Sequence, residues 1–333
     1  MMKLLNSIDI IDVAFNEVND SNHIYFRMDS TILAIEKLSG ILLWEHEIEY
    51  SSPIGTHSIW VTDAYVIYGA VDISTKKQIL GVLDKEGELL KVIETPYRIY
   101  SDGIHPKRKF HLEFLSISIE NNKNYYCRLN LALLEISETI ELDNLVDTVF
   151  IEEDMIFLSG ADGVFLLTDN ETKKVYDKSI IRVINSKNSN WLIEESNKSK
   201  MISIKKWNST SDLLLSFDAE ELKKATWQCK TIFDNNLFVV VEDIPGISCY
   251  NLKTGSLSWE FGKNNFMINS YTVAEDKVYM IAQDPELETH VYVLDSLNGG
   301  LIEKIESNVE PEYITFIEES LYISGLLGIE IYK

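Results

Sequence analysis

The chain has 333 residues, 53 of them acidic and 30 basic, for a formal charge of −23. That surplus disfavours nonspecific attraction to phosphate backbones and anionic membranes, so no nucleic-acid partner is expected and the natural partner is a neutral or basic protein. Hydrophobic residues make up 45% and aromatics 11%, with many Tyr, Ile and Val, which suits pleated sheets better than a helical bundle.

In chain order, Met1 to Asp9 has no long apolar core and meets an acid too early for a secretory signal, so a cytoplasmic location is expected. No later stretch approaches the roughly 18 uninterrupted apolar residues of a membrane helix, so no membrane is expected as a partner either. Candidate strands near Tyr25, Tyr65, Phe114, Met155, Trp191, Leu237, Val278 and Leu321 precede a phrase that returns about every 42 residues, the length of four strands plus short turns. One good copy is Ile32-Leu33-Ala34-Ile35-Glu36 followed by Leu38-Ser39-Gly40-Ile41-Leu42-Leu43-Trp44; the other runs from Ile247 to Trp259. Partial copies run from Ile79 to Leu90 around Asp84 and Gly87, from Gly163 to Val175 around Asp169 and Asn170, and from Val291 to Leu301 around Asp295 and Gly299.

Each unit reads as four strands. In the sixth these fall at about 228–233, 236–242, 246–251 and 256–261, joined by turns at Asp234-Asn235, Pro245-Gly246 and Lys253-Thr254-Gly255. A short helical turn is expected at Asp218 to Lys224, where an acid-rich start and lysine-rich end agree with the helix dipole. The last unit offers three strands, near 312–317, 320–324 and 328–332, and Met2 to Leu5, ahead of the first unit's opening strand at about 8–15, is the donor of the fourth. The prediction is an all-β fold, a single β-propeller domain over residues 1–333 with eight four-stranded blades, closed by the N-terminal strand. Seven blades is the alternative, because the third and fifth units are degenerate.

The phrase apolar-x-Ala-Ile-Glu, two residues, Ser-Gly, three residues, Trp resembles the pyrroloquinoline-quinone-type propeller repeat, with Trp44 and Trp259 at the end of the outer strand and Leu90 and Val175 as weaker equivalents. That resemblance implies a propeller and leaves two activities open. One branch holds a quinone and calcium in the central funnel, but the adjacent cysteines many of those enzymes carry are missing here. The other branch resembles the outer-membrane assembly propeller lipoprotein, a scaffold without catalysis, and this chain has no lipobox cysteine near Met1.

Candidate chemistry is sparse. Cys127, Cys229 and Cys249 form no CxxC pair and read as small buried hydrophobes in a reduced compartment. His23, His46, His57, His105, His111 and His290 are scattered without an HExxH pair or another tight ligand spacing, so no metal or cofactor is assigned. Asp84, Asp169, Asp295 and Asn251 close third strands and read as turn caps, while Trp44 and Trp259 read as packing between blades. Loops between second and third strands, with those between blades, contain Asp72, Asp102, Asp162, Asp243, Asp284, Glu286 and Glu288, which predicts an acidic rim for a basic protein partner. The loop from Tyr100 to Lys109 is the basic exception. A non-enzymatic protein-binding propeller, of immunity or inhibitor type, is the leading expectation. The alternatives are a funnel enzyme using a quinone, calcium or sugar-like ligand, and a structural scaffold subunit.

Overall fold

The computed structural model describes every residue except 1, 11–15, 29, 50–58, 73, 76, 96, 100–110, 119–120, 122, 144–145, 153–154, 169–170, 187–188, 196–201, 208–211, 216–230, 235, 242–243 and 264. Among the described residues there are 32 strands and no α-helix. They pair into eight four-stranded antiparallel sheets, and the fold is an eight-bladed β-propeller. Blades 1 to 4 span 16–47, 59–95, 97–142 and 148–176; blades 5 to 7 span 180–215, 231–261 and 267–305; blade 8 joins 311–332 to residues 4–9. The degenerate third and fifth units thus form complete blades. The chain makes two compact units, residues 14–177 and residues 1–13 with 178–333. No helix among the described residues is long and apolar enough to cross a membrane.

In the second unit, the N-terminal strand is longer than the sequence predicts. Leu4–Asp9 pairs with Gly328–Tyr332, with Ile8 opposite Ile329, and Lys3 and Lys333 exchange backbone hydrogen bonds of 2.8 and 2.9 Å. Residues 8 and 9, expected to open blade 1, therefore belong to blade 8, and the first described strand of blade 1 is Asn16–Asn19. Blade 6 also departs in one detail. Its third strand, Ile244–Asn251, includes Pro245 and Gly246 instead of following them, because a bulge between Val240 and Val241 absorbs both residues at the strand start. The helical turn expected at 218–224 and the basic loop at 100–109 lie outside the described residues.

Apolar side chains of successive sheets interlock to form the core. In the unit 14–177, Tyr25, Ile32 and Ala34 of blade 1 pack with Tyr68, Ala70 and Ile79 of blade 2; in the other, Phe238, Cys249 and Trp259 of blade 6 pack with Met280, Tyr292 and Leu294 of blade 7. Burial raises the Cys127 thiol to about 11 and the Cys249 thiol to about 12, as expected of small buried hydrophobes; Cys229 lies outside the described residues.

The two good repeats build the same junction. A bulge between third and fourth strands places Trp44 opposite Ala34 and Trp259 opposite Cys249, both small residues that leave room for an indole. Each ring then reaches the next blade. Trp44 Nε1 donates to the Lys85 carbonyl at 2.8 Å, and Trp259 Nε1 donates to that of Ser296 at 2.9 Å. The ring lies on a turn glycine: a Cβ on Gly87 would sit 2.7 Å from Trp44 Cδ2, and one on Gly299 2.6 Å from Trp259 Cε3. The same bulge corrects the weaker copies. Leu90 and Val175 are the extra, outward residues of their bulges; Lys91 stands opposite Val82 and Tyr176 opposite Val164. Lys91 takes over the reach of the indole, its Nζ donating to the Leu133 carbonyl in blade 3 at 3.4 Å.

A charged pin joins blades 1 and 2. Asp20 Oδ1 accepts the amides of Asn22 and His23, and its Oδ2 accepts the Tyr25 hydroxyl and the Lys85 ammonium, each at 2.9 Å. Burial raises the Asp20 carboxyl, but Lys85, the two amides and Tyr25 outweigh burial and hold it well below the usual carboxylate range.

Two outcomes follow from these junctions. Gly299→Ala adds a methyl against Trp259 at a backbone φ of 71°, and thermal or denaturant unfolding is expected to show a loss on the order of 1–3 kcal/mol; an unchanged midpoint contradicts the docking. Because the Asp20 pKa is depressed on folding, its contribution is complete above the unfolded value of about 4 and fades as pH falls below it. The melting-temperature gap between the wild type and Asp20→Asn should therefore be widest at neutral pH and narrow in acid, and a gap independent of pH contradicts the pin.

Candidate functional site

Of the acids expected on the rim, Asp162, Asp284, Glu286 and Glu288 occupy second-to-third strand turns, and Asp72 closes the second strand of blade 2 at the entry to one. Asp72 Oδ1 accepts the Ser74 amide and hydroxyl at 2.8 and 2.6 Å, and its Oδ2 accepts the Thr75 hydroxyl at 2.8 Å, so this carboxylate first shapes its own turn. Those hydroxyls, Ser74 foremost, lower its pKa. Asp162 is exposed between Met155–Gly160 and Gly163–Leu167. Asp102 and Asp243 lie outside the described residues. Asp72 and Asp162 thus sit on separate hairpins, whereas Asp284, Glu286 and Glu288 share one.

That shared turn joins Lys277–Gln283 to Thr289–Asp295 in blade 7. Asp284 Oδ1 accepts the amides of Glu286 and Glu288 at 2.9 and 3.1 Å, the Asp284 amide donates to the Glu288 carbonyl at 2.9 Å, and Gln283 Nε2 donates to the Leu287 carbonyl at 3.3 Å. These bonds hold Leu287 at a φ of 65° and leave it 75% exposed between two outward glutamates. Leu287 is thus a single apolar tip flanked by exposed carboxylates.

The other Asp284 oxygen faces inward. Oδ2 accepts the Tyr292 hydroxyl at 3.4 Å and lies 3.9 Å from Lys304 Nζ and 4.0 Å from His290 Nε2. His290 Nε2 is also 3.2 Å from Glu288 Oε2. Burial raises the Asp284 carboxyl, but the amides of Glu288 and Glu286, with the charges of Lys304 and His290, hold it below its ordinary value. Tyr292 is pushed up to about 12, by burial and then by Asp284. Sequence reasoning placed Asp284 and Glu288 at this turn and set His290 apart from it. Their spacing is not a linear metal motif; a hairpin assembles it, with Glu288 the last residue of the turn and His290 the second residue of the strand Thr289–Asp295.

A second concave place lies where the outer strand of blade 1, Leu42–Glu47, meets the third-to-fourth strand turn of blade 2. His46, Glu47, Glu49, Tyr68, Gly87, Glu88 and Leu89 line a cleft of about 330 Å³. The His46 ring lies 5.8 Å from that of Tyr68, and burial lowers its pKa. The turn caps behave as expected: Asp84 accepts the amides of Glu86 and Glu88, Asp295 those of Leu297 and Asn298, and Asn251 those of Lys253 and Thr254. Asp169, His57 and His105 lie outside the described residues.

These blades and turns define a β-propeller. No family model and no curated protein matches the sequence. Solved structures do share its fold: BamB from Moraxella catarrhalis has a TM-score of 0.64 at 14% identity, aligned over 100% of this chain and 98% of that one. The C-terminal WD40 domain of Sif2 follows at 0.61 and 12% over 100% and 98%, and the Dos1 propeller at 0.62 and 10% over 100% and 95%. At such identities the likeness is one of fold.

Proposed function

We propose that this chain is a non-enzymatic, protein-binding propeller of immunity or inhibitor type, located in the cytoplasm, whose acidic turns receive a basic protein such as a toxin or enzyme. The observation that carries the reading is Leu287, exposed between Glu286 and Glu288 on a turn whose shape Asp284 sets. The rigid turn lowers the ordering cost of binding, the carboxylates steer a cationic partner, and the leucine supplies a desolvated contact. The net charge of −23 supports the same partner chemistry. The docking of Trp44 and Trp259 supports reading the repeats as pyrroloquinoline-quinone-type blades that serve as scaffold.

The test is capture of partners from the native cell by the purified chain at low salt, repeated at high salt and with Leu287→Asp and Glu286→Gln/Glu288→Gln variants. The reading predicts one basic protein, released by salt, whose affinity falls about tenfold or more with Leu287→Asp and whose association slows in the glutamine variant. A captured protein indifferent to both salt and the variants overturns it.

A further inference from the structure

We propose that Asp284, Glu288 and His290 form a binding site for a divalent transition-metal ion, with Zn²⁺ the best-matched ion. This goes beyond the partner-binding reading and does not depend on it, since the site is judged on the isolated chain.

The donor set decides the class of ion. Two carboxylate oxygens and one imidazole nitrogen suit Zn²⁺ or Co²⁺, whereas Ca²⁺ and Mg²⁺ favour oxygen alone. One donor atom from each side chain lies within 4.8 Å of the other two. Ligands of one tetrahedral zinc at about 2.1 Å stand roughly 3.4 Å apart. The separation of 3.2 Å between His290 Nε2 and Glu288 Oε2 meets that spacing, and the 4.0 Å between His290 Nε2 and Asp284 Oδ2 needs a closure of about half an ångström.

The site is largely set before any ion arrives. The Asp284 side chain is 11% exposed and that of His290 15%. Asp284 spends Oδ1 on two amides of the turn, which leaves Oδ2 as a single, aimed ligand, and the Tyr292 hydroxyl steadies that oxygen from outside the donor set. Tyr292 also meets the His290 ring edge to face, at 6.3 Å and 88°, which restrains the imidazole plane. Glu288, 64% exposed, is the movable third ligand on the solvent side. Three protein ligands leave a fourth tetrahedral position for water or for a donor of another molecule.

One group opposes the ion. Lys304 Nζ stands 3.9 Å from Asp284 Oδ2 and 5.8 Å from the Tyr292 ring centre, with its side chain 40% exposed. It serves as the resident cation, and binding a metal requires it to swing outward. This gives the proposal a signature that a mere ion-pair network lacks: removing the lysine should strengthen metal binding, and removing the histidine should weaken it.

The experiment is calorimetric titration of the full chain, freed of metal by a chelator, with Zn²⁺ at neutral pH, alongside Co²⁺ titration followed by visible absorption. The wild type should take up one equivalent at this site. His290→Ala should weaken that binding tenfold or more and remove the corresponding cobalt bands, while Lys304→Met should tighten it severalfold. Circular dichroism identifies a variant that has not folded, and His290→Gln then replaces His290→Ala. Zinc binding of equal affinity in the folded histidine variant, an unchanged or weakened affinity in Lys304→Met, or the absence of any site-specific uptake by the wild type each overturns the proposal.

Discussion

The pairing of Leu4–Asp9 with Gly328–Tyr332 is the interaction on which the last blade depends. Without it the third strand of that blade would present a row of unpaired amides and carbonyls, the edge through which sheets add foreign strands. Close approach is possible because residue 328 is glycine: a Cβ there would sit 2.2 Å from the Ile8 carbonyl oxygen, at a φ of 147°. Beside the seam, the buried carboxylate of Glu330 accepts the Ser307 and Tyr332 hydroxyls, each at 2.8 Å, and the Asn308 amide at 3.2 Å. The connection at Ser307-Asn308 is thereby tied to the strand Gly328–Tyr332, and a buried carboxylate has its hydrogen-bond partners.

Within each unit, a second device transmits order from blade to blade. A bulge turns one residue of the outer strand toward the next blade, and that residue grips a backbone carbonyl of the neighbouring turn. Tryptophan performs this twice and Lys91 once, so the geometry survives a change from an aromatic donor to a cationic one. A turn held in this way is a stiff platform. The Asp284 turn, between the second and third strands of blade 7, is held by its own internal bonds, which explains how Leu287 can stand exposed without the loop collapsing over it.

Much of the architecture was legible in the sequence because its physical causes are local. Second strands are continuous apolar runs, turns carry Asp or Asn with Gly, and a missing fourth strand at one end of the chain matched a spare one at the other. What escaped was non-local or hidden in register. One extra residue in a bulge shifts every outward assignment by one, which made Leu90 and Val175 look like counterparts of Trp44 when Lys91 and Tyr176 hold that register. Pro245 and Gly246 read as a connection because nothing local distinguishes a turn from a bulge at a strand start. His290 was set aside for want of a linear motif, although the five-residue turn 284–288 folds it back toward Asp284. The cleft at His46 draws on two blades, and no pattern within either strand announces it.

The central claim is that the N-terminal strand is an integral part of the last blade, and native-state hydrogen exchange tests it most directly. The hydrogen-bonded amides within residues 4–9 should exchange as slowly as those of 328–332, and both sets should open together as denaturant rises. Fast exchange across 4–9 while 328–332 remains protected would contradict the account.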